Sequence, residues 1–199
     1  MRSALWDRYW GNSGGGKPFG PKGEGRRERV IAPKTYRGFD DTQIPDKQYF
    51  EELQRVSKNQ IIWGGNYFIE HLTNTPCFLI WDKDNSGNFA DCEIAWTSFK
   101  TSVRKFKYRW NGMLQENMKE KEIRIHPTHK PIALYSWTYK KYLPQGGKVI
   151  DTHLGSGSNR IAADKAGNID FYGYEIDADY FRDEELRYKN YKAQLVMEF

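Results

Sequence analysis

Two carboxylates flanking a glycine turn are the residues of this chain best suited to chemistry. The first stretch is Lys148-Val149-Ile150-Asp151-Thr152-His153-Leu154-Gly155-Ser156-Gly157-Ser158, and the second is Phe171-Tyr172-Gly173-Tyr174-Glu175. Glycines let a ligand come close to the backbone, and an acid after the second stretch can accept hydrogen bonds from ribose hydroxyls. Arg160 stands where a dinucleotide fingerprint needs its third Gly or Ala, which argues against a pyrophosphate ligand. An adenosine ligand without a pyrophosphate, such as S-adenosylmethionine, suits the pattern better. Gly-Ser-Gly alone is no more than a turn; between Asp151 and Glu175 it reads as a ligand site.

Such a site needs a strand–turn–helix–strand unit. Residues 148–150 are expected to form a short buried strand, and a helix opens at Ser158-Asn159 with Ile161, Ala162, Ala163 and Ala166. A second strand ends at Glu175. Upstream, residues 3–7 form a candidate strand ending in Asp7. Residues 11–34, Gly-rich with Lys17, Lys22, Arg26, Arg27 and Arg29, have the composition of a mobile basic loop. Residues 45–58 read as a helix with Tyr49, Leu53 and Val56 on one face. Strands are expected at 59–63, 77–81 and 93–99, with a helical turn at 68–72. Residues 131–142 form a helix carrying Ile132, Tyr135, Tyr139 and Tyr142, and 178–195 a last amphipathic helix. Alternating strands and helices predict an α/β fold: a mostly parallel sheet with helices on both faces.

Bulk properties narrow the classes. A chain of 199 residues suits a single domain. A mean hydropathy of -0.85 and no long apolar run exclude a membrane-spanning helix, and the polar residues 1–7 do not resemble a signal peptide. Cys77 and Cys92 form no CxxC pair, so no metal site is expected and a reducing cytoplasm is the default. Net charge +5 and a pI near 9.0 lean towards nucleic acid. Asp82 to Glu93 nearly spells a calcium loop, but its flanks look like strands rather than helices, so a polar turn is expected. From Val103 to Trp110 aromatics and cations alternate. As a strand this places Arg104, Phe106, Tyr108 and Trp110 on one face, mainly aromatic, and Val103, Lys105, Lys107 and Arg109 on the other, mainly cationic and either solvated or meeting phosphates.

Taken in order, these pieces resemble the DNA methyltransferases that act on adenine N6 or cytosine N4, in the circularly permuted arrangement where the catalytic half comes first. The resemblance rests on His126-Pro127-Thr128-His129-Lys130-Pro131, on Asp151-x-x-x-Gly155-Ser156-Gly157-Ser158 and on Gly173-Tyr174-Glu175-Ile176-Asp177. Arg55-Val-Ser-Lys-Asn-Gln-Ile-Ile-Trp-Gly-Gly-Asn-Tyr-Phe68 and Trp81-Asp82-Lys83 add to it. His129 replaces the family's usual Gln.

The resemblance implies a Rossmann-like, S-adenosylmethionine-dependent domain. Its catalytic half would span residues 1–99, a short DNA-contacting segment 100–125, and the cofactor half 126–199. Thr128, Lys130, Asp151, Gly155, Ser156, Gly157, Ser158 and Glu175 would bind the cofactor, with Lys130 neutralising its carboxylate. Arg26, Arg27, Lys105, Lys107 and Arg109 would meet double-stranded DNA. The family's Asp-Pro-Pro-Tyr motif corresponds to Asp7-Arg8-Tyr9-Trp10. Asp7 and the Arg8 carbonyl would accept from the target amine while Trp10 stacks on a flipped base. Both prolines are replaced, Arg8 brings a cation towards a sulfonium, and an upstream strand with an acidic adenosine contact has no counterpart, which together imply slow turnover or none. Asp at position 7 favours adenine over cytosine by resemblance. A restriction–modification or phage setting, a cytoplasmic location in a bacterial or phage-infected cell and an optional homodimer complete the expectation; a non-catalytic relative that binds DNA or cofactor is the alternative.

Overall fold

The computed structural model describes residues 45–85, 90–111 and 114–197, and these belong to one folded unit. The expected strand at 3–7, the segment Asp7–Trp10 and the loop with Arg26 and Arg27 lie outside the described residues.

The first helix, α1, spans Lys47–Val56, and the Asp46 carboxylate caps it by accepting the Tyr49 N–H at 3.0 Å. Its buried side chain is Phe50, stacked on His71 and tilted against Phe68, rather than the expected Leu53–Val56 stripe. The helix docks by its first turns, so Val56 at its end is exposed.

Strand β1, Ile61–Trp63, is followed by two single 3₁₀ turns, Gly65–Tyr67 and Ile69–His71. Then come β2, Phe78–Asp82, β3, Cys92–Thr97, and β4, Arg104–Lys107. They form one sheet in the order β1-β3-β2-β4, with β3 antiparallel to both neighbours and β4 parallel to β2. The expected mostly parallel sheet is therefore a mixed one. The link from β2 to β3 is too short for a crossover helix, so the chain must fold straight back. The polar 82–93 stretch is this hairpin connection, as its flanking strands imply.

A small hairpin follows, β5, Trp110–Asn111, against β6, Leu114–Gln115. Helix α2, Ile132–Tyr142, leads into β7, Gly147–Asp151, then α3, Ser158–Ala166, β8, Ile169–Gly173, and α4, Ala178–Met197. Strands β7 and β8 pair in parallel from Gly147 opposite Ile169 to Asp151 opposite Gly173.

Helix α2 holds the two sheets together. Its Leu134, Trp137 and Tyr142 pack on Leu79, Trp81, Ala95 and Trp110, while Ile132, Tyr135 and Tyr139 join Val149, Phe171 and α3. A helix wrapped on several sides needs aromatics around its circumference, which accounts for part of the chain's aromatic density. The far face of the larger sheet is closed by the turns after β1: Trp96 is buried there and donates its indole N–H to the Thr73 carbonyl. The β7–β8 pair is covered on one face only among the described residues. Ile150 is 43% and Tyr172 52% exposed, so the expected buried strand is half open.

Candidate functional site

The glycine turn sits between β7 and α3 because two residues take backbone angles that suit glycine. Gly155 has φ +54° and Gly157 φ +71°, and a Cβ on Gly157 would fall within 2.4 Å of the buried Glu184 side chain. Gly157 caps α3, whose first backbone N–H groups therefore face the turn. Arg160 is directed away: its guanidinium bonds Glu184 and Glu185 and lies 3.9 Å over the Tyr188 ring. No third small residue is needed here, as a pyrophosphate site would require.

Two backbone bonds join the strand ends. Tyr174 donates to the Asp151 carbonyl at 2.8 Å, and Leu154 to the Tyr174 carbonyl at 2.9 Å. The Glu175 carboxylate closes the site. One oxygen accepts the Gly155 N–H at 2.8 Å and the other the Asp177 N–H at 3.0 Å. Each oxygen keeps a lone pair for a further donor. Ile176, between these two acids, is fully exposed at 100%. An apolar side chain set in water beside a polar acceptor suits the face of a flat ring. Sequence reading passed over Ile176; its signal was an apolar residue between two acids just past a strand end.

Asp151 is fixed on both oxygens, accepting the His153 N–H at 3.0 Å and the Asn159 amide at 2.8 Å. Tyr139 in turn donates its hydroxyl to Asn159. Beside this point, the Tyr49 hydroxyl of α1 lies 2.8 Å from Thr152 Oγ1.

The segment His126–Lys130 lies against the turn. A Cβ on Gly155 would touch the His126 ring at 3.5 Å, and His129 Nε2 lies 3.2 Å from Ser158 Oγ. Thr128 places its N–H and Oγ1 at 3.3 and 3.0 Å from His126 Nδ1. Burial lowers both histidines to about 4, opposed at His126 by Glu175 and at His129 by Glu122. Both are neutral near pH 7. Lys130 pairs with Glu93 at 3.4 Å, and Lys83 holds the same carboxylate at 2.8 Å. Burial alone would raise the Glu93 carboxyl, but Lys130 and Lys83 outweigh it and hold it below the usual range. Two ammonium groups on one carboxylate leave one positive charge over.

The turn thus brings together Asp151, Gly155, Gly157 and Glu175, with Thr128 and Lys130 on the adjoining segment. The hydroxyls of Ser156 and Ser158 are engaged in the interior, 3.2 Å from one another. Lys105 and Lys107 on β4, and Arg109 just past it, stand elsewhere and are exposed, with Phe106, Tyr108 and Trp110 turned inward; Arg104, expected on the aromatic face, is exposed instead. Lys105 pairs with Asp82 at 3.3 Å, and Lys107 and Arg109 both pair with Asp84, at 2.6 and 2.5 Å. The near-calcium loop thus has its acids held by side-chain cations. Among the described residues no cluster of His, Cys, Asp or Glu suits a metal ion, and no helix is long and apolar enough to cross a membrane.

Residues 31–185 match the family model described as "DNA methylase", for the N6 and N4 enzymes. No curated protein matches the chain. Among solved structures it is similar to a crystal structure of an M1.HpyAVI–SAM complex, with a TM-score of 0.50 and 20% identity over 72% of this chain and 83% of that one. A structure of M1.HpyAVI gives a TM-score of 0.45 and 17% identity over 71% of this chain and 79% of the other. The first likeness establishes a shared α/β fold.

Proposed function

The chain belongs to the N6/N4 family of DNA methylases, and from that premise we propose that it transfers a methyl group from S-adenosylmethionine to the N6 amine of adenine in a short DNA site. The observation that carries the cofactor part is the Glu175 carboxylate, set by the Gly155 and Asp177 N–H groups beside a fully exposed Ile176. A ribose diol fits the remaining lone pairs, and an adenine ring fits against Ile176. Lys130, whose charge is in excess over the Glu93 carboxylate, suits the cofactor's carboxylate. Ser156 and Ser158 serve through the turn they shape rather than through their hydroxyls.

When bound, the cofactor supplies an electrophilic methyl on a sulfonium. The chain's part is to make a conjugated amine nucleophilic. Asp7 accepts a hydrogen bond from one amine hydrogen and the Arg8 carbonyl from the other, which steers the nitrogen towards tetrahedral geometry. The nitrogen keeps one hydrogen, and the proton it loses on methylation passes to the Asp7 carboxylate and on to water. Trp10 stacks on the extruded base. Lys105, Lys107 and Arg109, with Arg26 and Arg27, meet phosphates and hold the duplex.

The second reading, a relative that binds cofactor or DNA without transferring methyl groups, is favoured by Arg8-Tyr9 where the family has two prolines. Cytosine N4 is the other target. One experiment separates them: incubation with methyl-labelled S-adenosylmethionine and unmethylated DNA, RNA or protein, followed by nuclease digestion. Label in N6-methyladenine supports the proposal, and label in N4-methylcytosine replaces the target. Cofactor binding without any transfer supports the second reading.

A further inference from the structure

The glycine turn is supported from behind by two side chains outside the motifs, Arg187 and Glu122, joined by His129. Arg187, in the middle of α4, donates from one terminal nitrogen to the Ser156 carbonyl at 2.6 Å and to the Ser158 hydroxyl at 2.9 Å. Its other terminal nitrogen donates to Glu122 at 2.7 Å. The second Glu122 oxygen accepts the Ile132 N–H at 3.1 Å, at the start of α2, where Pro131 offers no side-chain cap. The His129 ring completes the set, with Nε2 3.4 Å from Glu122 and 3.2 Å from Ser158 Oγ. Because Ile125 N–H donates to Nδ1 at 3.4 Å, the imidazole hydrogen belongs on Nε2 and is given to this pair. Glu122 is itself fixed by Gln115 of β6, which bonds both its backbone groups at 2.8 Å.

This arrangement is too polar to be mere packing. Both charged side chains are largely withdrawn from water, and removing either partner leaves the other charge buried and uncompensated. A guanidinium is chosen over an ammonium because three acceptors in different directions need its fork. The turn therefore has its inner side pinned by Arg187 and His129.

We propose that Arg187 and Glu122 are positioning residues for the adenosine ligand: they fix the Ser156 carbonyl and Ser158 hydroxyl so that the Gly155–Gly157 backbone keeps its binding shape. The proposal rests on the cofactor reading given above. It also extends the set of supporting residues to α4 and to the segment before His126.

The test uses the full chain with Arg187→Met, Glu122→Gln and Arg187→Lys. S-adenosylhomocysteine, a stable probe of the same site, is titrated by calorimetry. Hydrogen exchange of the ligand-free turn, residues 154–159, is followed separately. Arg187→Met and Glu122→Gln should each weaken the probe about tenfold, the scale of one charged hydrogen bond, and speed turn exchange by a similar factor. Arg187→Lys should restore part of both, and combining Arg187→Met with Glu122→Gln should cost less than the sum. In methyl transfer the cofactor KM should rise while kcat holds. Folded variants that bind the probe as tightly as the unmodified chain overturn the proposal, as does a loss confined to kcat. If the unmodified chain fails to bind the probe, the cofactor reading falls, and with it the ligand-positioning claim. Turn exchange then still reports whether Arg187 and Glu122 hold the backbone.

Discussion

Glu175 and the two buried histidines bear on the candidate site in different ways. Glu175→Ala removes both the proposed ribose acceptor and the bond to Gly155 N–H, so cofactor affinity should fall by about 1.5–3 kcal/mol. Calorimetry giving an unchanged affinity would take Glu175 out of the site. The histidines set a pH dependence. Their folded values, about 4, lie below the ordinary 6.5, so only the unfolded chain binds protons between those limits. Stability from this source is complete above pH 6.5 and declines as pH falls towards 4, with a slope of up to about 1.4 kcal/mol per pH unit for each histidine. At His129 the neighbouring charges are Glu122, Arg187 and Arg124; at His126 they are Glu175, Asp177 and Lys130. Denaturant titrations at pH 7.5, 6 and 5 should show the decline. His129→Gln, the residue usual in the family, should remove about one proton's worth of slope.

At the level of elements, local signals were legible and pairing was not. Short apolar runs placed the strands, and the alternation from Val103 to Trp110 assigned the faces of Lys105 to Trp110 because side-chain period is a property of the backbone. The strand itself is only Arg104–Lys107, and Arg104 is exposed against its expected parity. The direction of β3 depends on the length of the link before it, and the exposure of Ile150 depends on what covers a sheet face; neither is written in a short window. The candidate site divides the same way. The motif residues around the turn stood out by type and spacing, whereas Glu122 and Arg187 meet across 65 positions, with no local pattern to announce them. The cations of β4 supply a prediction of their own. Their ion pairs with Asp82 and Asp84 are exposed and weak, so phosphates can replace the aspartates. Lys105→Ala with Lys107→Ala should lower the slope of log K against log salt for DNA by about two. Asp84→Asn should tighten binding by freeing Lys107 and Arg109. An unaltered slope in the double variant would leave these lysines as solvated charges only.

Across the whole molecule, the proposed transfer needs Asp7 and Glu175, from opposite ends of the chain, to serve one reaction. Asp7→Ala should abolish methylation and leave cofactor affinity within about twofold, since a base-binding acid does not touch the adenosine. Restoring Arg8→Pro with Tyr9→Pro should raise the methylation rate, because proline fixes φ and so holds the carbonyl acceptor in place. Equal methylation by the unmodified protein and Asp7→Ala would show that catalysis resides elsewhere. The larger sheet has a further consequence for the molecule in solution. Among the described residues β4 is the outermost strand beside β2, with nothing paired along its far side. An uncapped strand invites a second chain to add to it, and lysines projecting from it discourage that addition. Lys105 and Lys107 are therefore expected to oppose self-association whether or not they ever meet a phosphate. Replacing both with alanine should make concentrated solutions scatter more light, and a variant with glutamate at the same positions should stay clear.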